Sequence, residues 1–294
     1  GGGGGGGGAQ HHLPWRGGGP PPPPPSARDL GAARVSWAAT ALADKLDTLV
    51  GLFGAGEKPT GSRDPFGLRR QAHGVFRILV DLPELSGLTA RPDLGRLVAM
   101  AEAEYGETLT SGASRLGPFL FERLRYVLEQ RGHDVRNVRA VTHQAALEEV
   151  CPLDARHKLE VLPEFTGSTD FLQLATLFKR VRNIARELPE EVQDGGPEPG
   201  SVPSRDEEPA ECQLRQELDR RGPRIQRAVT EGEGYRAAFA EAARFGPAVD
   251  RFFTDVLVMV EDAGVRHRRL SLLKRLELLI LQLADVSEIV SEAN

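Results

Sequence analysis

Apolar residues recur along this chain at the three- and four-residue spacing of an α-helix, and the alternation typical of β-strands is almost absent. The pattern predicts helices over residues 33–53, 67–80, 117–130, 169–188, 247–261 and 266–290. In the last of these, apolar residues follow one another in steps of four and three from Leu272 to Val290. This apolar surface is wide enough for a central core helix rather than a two-stranded coiled coil. The sequence therefore predicts an all-α fold.

Signals for helix ends accompany the first two predicted helices. The stretch GLFGAGEKPTGS contains spaced glycines, but it follows a helix instead of a strand and lacks the GK[ST] of a phosphate loop. We interpret it as a helix C-cap followed by a turn. Asp64 and Pro65 stand just before the second helix, and they are typical of an N-cap residue followed by a proline in the first turn.

Two stretches are too rich in glycine and proline to form packed helices. Residues 1–32 begin with GGGGGGGG and continue through PPPPPP, and we predict that they form a disordered tail. Residues 187–211 are acidic and rich in proline and glycine, which predicts a solvated loop.

Composition narrows the classes of function. The chain has 294 residues, which favours about two domains. Its net charge of -5 excludes a surface that attracts nucleic acid everywhere, so an RNA contact would have to be a local basic patch. Cys151 and Cys212 fit neither a disulfide framework nor a metal motif, which favours a reducing, cytoplasmic setting. The run LELLILQLADV is too short to span a bilayer, and no signal-peptide pattern is visible.

Patterns that would support catalysis are weak. The seven histidines are scattered and lack the spacing of metal ligands. Asp44 and Asp47 lie three residues apart on the first predicted helix, which places two carboxylates on neighbouring faces. An HD-type metal phosphohydrolase would also need an upstream histidine and a His-Asp pair, and the part of the predicted helix upstream of Asp44 supplies neither. We therefore predict no catalytic and no metal-binding residues.

A basic helix face is the stronger signal. In LFKRVRNIAR the apolar residues are predicted to face inward, and the opposite side carries Lys179, Arg182, Asn183 and Arg186. Three cations and an amide on one ridge are typical of a contact with a phosphate backbone. Asn183, with Phe171 or Tyr126, could add contacts to bases.

Two further groups of cations lie near predicted helix ends. Arg69 and Arg70 stand at the start of the second helix, where the dipole does not favour cations, so an anionic partner or a nearby acid would explain them better. The stretch RHRRLSLLKR holds a second basic cluster, Arg266, Arg268, Arg269, Lys274 and Arg275. The alternative for this cluster is an ordinary solvated helix face, or cations near a helix end that offset its dipole.

Several segments together resemble one family, the β subunit of the bacterial-type, two-subunit glycine–tRNA ligase. They are ALADKLDTLVGLFGAGEKPTGSRDPFGLRR, PFLFERLRYVLEQRG, LATLFKRVRNIAR and the stretch from FGPAVDRFFTDVLVMVED through the last helix. They occur in the family's order and cover roughly residues 33–290. The resemblance indicates a C-terminal portion of such a subunit.

The resemblance carries expectations about fold and site. Residues 33–98 would be the end of an HD-like helical domain, and residues 99–294 would form the family's DALR-type anticodon-binding helical domain. Lys179, Arg180, Arg182 and Asn183 occupy the family's KRVRNI segment. The candidate RNA-binding residues are therefore Lys179, Arg180, Arg182, Asn183, Arg186, Arg69 and Arg70.

The resemblance also implies partners. It predicts tRNA(Gly) and a separate α subunit, joined in an α2β2 heterotetramer, with no DNA and no membrane partner. The α subunit would carry the catalytic core that uses ATP with Mg, and this chain would bind no cofactor itself. The alternatives are a non-enzymatic helical scaffold that binds a protein partner and, with less support, an HD-type metal phosphohydrolase.

Overall fold

The computed structural model describes residues 27–106, 115–143, 147–188 and 207–290. Within these ranges the chain consists of helices and the turns between them, with a single isolated bridge between Thr60 and Arg63 and no β-strand. The prediction of an all-α fold is confirmed. Among the same residues, no helix is both long enough and apolar enough to cross a membrane.

The described chain divides into two compact units. The division falls after Arg131, and residues 147–153 return to the first unit. The boundary predicted between residues 98 and 99 lies inside the helix Leu94–Ala103, which packs on the first long helix of the chain. Whether the two units correspond to the HD-like and DALR-type domains stays a prediction.

The first unit is built around one long helix and its neighbours. Its helices are α1 (Ala27–Leu30), α2 (Arg34–Gly54), α3 (Leu68–Val80), α4 (Leu82–Ser86), α5 (Leu94–Ala103) and α6 (Leu116–Gln130). α2 packs against α3 and α5, and α6 packs against α3. Residues 27–32, predicted as part of the tail, form α1 and most of a 3-10 turn, because SARDLGAA follows the proline run and contains good helix formers. Residues 1–26 lie outside the described residues.

The turn between α2 and α3 confirms the predicted C-cap and refines the predicted N-cap. α2 ends at Gly54, and Gly56 has φ +89°, a conformation that glycine adopts without strain. The Asp64 carboxylate accepts hydrogen bonds from the backbone N–H groups of Leu68 (2.8 Å) and Arg69 (3.0 Å). Asp64 therefore caps α3 from several residues upstream, and Pro65 lies in the turn before the helix instead of in its first turn.

The second unit is centred on one amphipathic helix. Its helices are α7 (Val135–Val141), most of α8 (Pro152–Val161), α9 (Thr169–Ala185), α10 (Pro209–Glu231), α11 (Tyr235–Ala243), α12 (Gly246–Asp255) and α13 (Ala263–Leu281). α9 packs against α11, α12 and α13. Phe171 and Phe178 of α9 are fully buried in this core, together with Phe239 of α11.

The last two predicted helices are shorter than their apolar patterns suggested. α13 begins at Ala263, because the Asp262 side chain accepts the N–H of Val265 (2.8 Å). It ends at Leu281, ahead of the buried Asp285, which receives the N–H of Ser287 and starts a 3-10 turn. α12 ends at Asp255 instead of residue 261, because the chain becomes extended at Val256 (φ -115°, ψ 120°).

The ends of the predicted loop also differ from expectation. α9 stops at Ala185, and α10 begins at Pro209, inside the stretch 187–211 that was predicted to be loop. A proline in the first helical turn costs little, because its missing N–H would have no partner there. Residues 189–206 lie outside the described residues.

Candidate nucleic-acid interface

The C-terminal half of α9 presents the predicted basic face to solvent. The apolar positions Leu174, Phe178 and Val181 are fully buried, and this fixes the rotation of the helix about its axis. Four polar residues of its second half are exposed and form what we call the basic ridge: Lys179, Arg180, Asn183 and Arg186. The Ser168 hydroxyl caps the other end of α9 by accepting the N–H of Phe171 (3.3 Å).

Arg182, predicted to lie on the same face, points elsewhere. Its guanidinium donates a hydrogen bond to the Asp285 carboxylate, and its Nε lies 3.6 Å from a carboxylate oxygen of Glu277. Both acids are buried, with side chains 4% and 5% exposed. Glu277 also accepts from Lys274 (2.9 Å). The structure therefore places Arg182 in an internal ion-pair network, and we leave it out of the basic ridge.

The second basic cluster is also occupied by internal partners. Arg268 and Arg269 both donate to Glu211, whose side chain is 1% exposed, at 2.5 and 3.0 Å. Arg275 forms an ion pair with Asp219 at 2.7 Å. These cations neutralise carboxylates that the fold has removed from water. The residues of the cluster are buried or half-buried and have internal partners, so the cluster is not an ordinary solvated face.

Two arginines of that cluster hold the chain that leaves α12. Arg269 donates from Nη1 to the carbonyl of Leu257 (2.8 Å), and Arg266 donates from Nη1 to the carbonyl of Val260 (2.8 Å). Neither carbonyl belongs to a helix, so each needs a donor from elsewhere in the fold. The segment after α12 is therefore anchored to the start of α13.

A groove opens beside the basic ridge, and the sequence analysis did not identify it. The Arg180 guanidinium lies over the ring of Phe253, with its Cζ 4.2 Å from the ring centroid. Around this pair is a cavity of about 340 Å³, which we call the α9–α12 groove, lined by Arg180, Ile184, Phe253, Thr254, Asp255, Val256, Leu257, Val258 and Met259. Leu257 and Met259 are 71% and 52% exposed. In the sequence this segment is the continuous apolar run VLVM, which lies inside the helix predicted over residues 247–261.

The two arginines predicted as RNA contacts at the start of α3 belong to the first unit. Arg69 donates from Nη2 to the carbonyl of Gly61 (2.8 Å), so its side chain closes the turn before the helix. Arg70 is exposed, and its guanidinium lies beside Gly67. The carboxylate of Asp64 accepts the backbone N–H groups of Leu68 and Arg69 at this helix start. An RNA contact of Arg70 stays a prediction.

The remaining sequence candidates have different surroundings. Phe171 is fully buried and cannot meet a base, whereas Tyr126 is 42% exposed and lies under the Arg123 guanidinium, 5.0 Å from the ring centroid. Asp47 accepts a hydrogen bond from the hydroxyl of Tyr105 (2.8 Å). In the part of the chain that the structure describes, no group of three or more histidine, cysteine or acidic side chains is placed to hold a metal ion.

A larger cavity in the first unit has the wrong chemistry for a phosphate backbone. This cavity, of about 750 Å³, lies between α2 and α5 and is mostly apolar. The charged residues that line it are Asp44, Asp47 and Glu104, all acidic. Acidic side chains repel phosphates, so the basic ridge is the better candidate interface.

Comparison with known proteins identifies the family. Residues 24–143 match the family model described as "Glycyl-tRNA synthetase beta subunit". The chain is 40% identical over 256 residues to the glycine–tRNA ligase beta subunit of Aromatoleum aromaticum, an alignment that covers 85% of this chain and 34% of that protein. It is 39% identical over 267 residues to the beta subunit of Anaeromyxobacter dehalogenans, covering 90% of this chain and 35% of the relative. It is 35% identical over 252 residues to that of Psychromonas ingrahamii, covering 85% and 34%. The chain thus spans about a third of the length of the curated relatives it matches, and it belongs to the glycine–tRNA ligase beta subunit family.

Proposed function

We propose that this chain is a tRNA-binding portion of a glycine–tRNA ligase beta subunit. It recognises tRNA(Gly) for ATP-dependent glycyl-tRNA formation, and the chemistry takes place on a separate α subunit. The observation that carries this proposal is the exposed basic ridge of α9, in a chain whose relatives are named as subunits of a tRNA ligase. Catalysis then enters through positioning, because holding the tRNA in place lowers the entropic cost of the reaction at the partner subunit.

The geometry of the ridge suits a single strand of phosphates. Lys179 lies on α9 and Arg186 is the capping residue that directly follows it, still with helical dihedrals, so the two are separated by about 10 Å along the helix axis. Arg180 and Asn183 lie between them and are also exposed. Cations contact phosphate oxygens without regard to sequence, whereas the amide of Asn183 can both donate to and accept from a base edge or a 2′-hydroxyl.

The same proposal covers partners and cofactors. The α subunit, in an α2β2 assembly, would bind glycine and ATP with Mg, and this chain would contribute no cofactor ligand. The setting is the cytoplasm, where tRNA is aminoacylated. The basic ridge lies near the C-terminal end of α9, where cations also offset the helix dipole. A helical scaffold that binds no RNA is therefore the alternative that the experiment must separate.

The test is binding of the purified chain to a tRNA(Gly) transcript and to a tRNA with another anticodon, over a series of salt concentrations. We expect binding that favours tRNA(Gly) and weakens steeply with salt, because released counterions set the slope. Lys179→Ala and Arg186→Ala should each reduce the salt slope by about one. Arg227→Ala, which removes an exposed arginine from α10, is the matched control and should leave the slope unchanged.

Each contrary result has a distinct meaning. Binding with an unchanged slope in both ridge variants would remove α9 from the interface. Absence of binding at low salt would favour the scaffold. Retention of a divalent metal after dialysis would favour the phosphohydrolase.

A further inference from the structure

We propose that the α9–α12 groove holds one unstacked RNA base against the Arg180 guanidinium and the Phe253 ring. This inference rests on the proposed function and adds a base-binding site to the phosphate contacts of the basic ridge. Arg180 then has a second role besides its positive charge, because its planar guanidinium stacks on the base.

Two phenyl rings and a guanidinium contact one another in series at the groove. Phe252 is fully buried, and its ring meets that of Phe253 edge-on, with centroids 5.7 Å apart and planes at 73°. The half-buried Phe253 in turn supports the exposed Arg180, whose Cζ is 4.2 Å from the ring centroid. Guanidinium and aromatic planes are the groups on which proteins stack single-stranded bases. The core therefore supports a flat platform that ends at the surface.

The segment that follows α12 forms an apolar wall of the groove. From residue 256 to residue 259 the chain alternates, with Val256 and Val258 buried (6% and 5% exposed) and Leu257 and Met259 turned outward (71% and 52%). The chain is extended at Val256 and bends at residues 258 and 259, and along it successive side chains alternate between the core and the surface. Two large apolar side chains this exposed, beside a cation–aromatic pair, mark a surface that excludes water once it is covered. A nucleobase has a flat, weakly hydrated face that can cover such a surface.

Hydrogen bonds within the protein hold this wall in place before any ligand binds. The carbonyls of Leu257 and Val260 accept from Arg269 and Arg266, and Arg269 is itself fixed by the buried Glu211. A segment anchored in this way loses little conformational entropy when a ligand binds. The buried ion pairs of the second basic cluster thus position the groove without touching RNA.

Size and charge agree with a nucleobase. A cavity of about 340 Å³ is at the lower end of small-ligand pockets (~300–1,000 Å³), so it admits one base and excludes a duplex. The acid in its lining, Asp255, lies 3.3 Å from Arg251, which offsets its charge. Lys179 lies on the same helix as Arg180 and Arg186 caps the end of that helix, so the strand that carries the base can continue along α9.

The experiment separates planar stacking from positive charge. Arg180→Lys keeps the charge and removes the plane, and Phe253→Leu keeps the apolar bulk and removes the ring. Both should weaken binding of the full chain to tRNA(Gly) by about five-fold or more, because stacking contributes that much per base, and should leave the salt slope unchanged. Arg227→Lys, at an exposed arginine of α10 outside both the ridge and the groove, is the matched control and should bind as the unaltered chain does. Thermal melting by circular dichroism would establish that each variant is folded.

A second probe removes the base instead of the protein group. A short single-stranded oligo(A) RNA should bind more tightly than a matched strand whose central nucleotides lack bases, and this difference should disappear in Arg180→Lys. Equal affinity of the two strands, or unaltered binding by folded Arg180→Lys and Phe253→Leu, would overturn the groove proposal. In that case salt-dependent binding would still support an RNA interface at the basic ridge. If the unaltered chain bound no RNA at all, both the groove proposal and the proposed function would be wrong.

Discussion

The contact between α9 and α12 can be tested at one glycine. A Cβ at Gly246, the first residue of α12, would lie 2.5 Å from the carbonyl oxygen of Asp170 and 3.3 Å from the backbone nitrogen of Leu174. Real Cβ contacts are essentially never closer than 3.0 Å, so Gly246→Ala must open this approach by at least 0.5 Å, the difference between 3.0 and 2.5 Å. The obstacle is backbone, so one helix has to move.

The magnitude follows from two opposing effects. Forcing extra volume into a packed contact costs about 1–3 kcal/mol. The higher helix propensity of alanine returns at most about 1 kcal/mol, and less at the end of a helix. We expect Gly246→Ala to lower the free energy of unfolding by about 2 kcal/mol. The same shift would move Phe253 away from Arg180 and weaken RNA binding if the groove proposal holds.

The assay is urea unfolding followed by circular dichroism, with Gly222→Ala as the matched control. A Cβ at Gly222, in the interior of α10, would lie 3.7 Å from Leu279 Cδ2, an ordinary van der Waals contact. Alanine there gains up to about 1 kcal/mol of helix propensity, but its Cβ also crowds the ring of Pro223, the next residue of the helix. The two effects oppose each other, so the free energy of unfolding should change by less than about 1 kcal/mol. If Gly246→Ala unfolds at the same urea concentration as the unaltered protein, or at a higher one, the close approach of α9 and α12 is refuted.

Two further predictions concern buried charge. Glu211→Ala should lower the free energy of unfolding by about 3–5 kcal/mol, because Arg269, 7% exposed, would lose its carboxylate partner. A decrease of less than about 1 kcal/mol in urea unfolding would show that the pair is not buried. The second prediction concerns pH. Burial lowers the pKa of His143 below its usual 6.5, against the opposing hydrogen bond from its ring to the carbonyl of Ala140. The unfolded chain therefore binds more protons, so this contribution to stability is intact above about pH 6.5 and is lost as pH falls below it. His143→Gln should reduce the loss of stability between about pH 7 and pH 5; the slope that remains should come partly from His73, whose pKa burial also lowers. An unchanged pH dependence in His143→Gln would contradict this assignment.

Sequence reasoning succeeded where structure depends on neighbours along the chain. The apolar positions of α9 recur at helical spacing, and Phe178 and Val181 are buried as that spacing predicts. The exposed ridge follows from the same rotation of the helix, so Lys179 and Arg186 were found without any knowledge of the other helices. The helical spacing of apolar residues did not predict the structure after α12. A continuous apolar run does not distinguish a buried helix from a non-helical segment that buries every second residue.

What the sequence by itself determined is therefore the helical class, the faces of the long helices and the family. Only the tertiary structure decided which cations face outward. Arg182 and Arg269 have the same formal charge as Arg180, yet their partners Asp285 and Glu211 lie 103 and 58 residues away along the chain. Periodicity is a property of one helix, whereas an ion pair or a groove is a property of two helices brought together by burial. The α9–α12 groove, like the close approach at Gly246, exists only once that packing is complete.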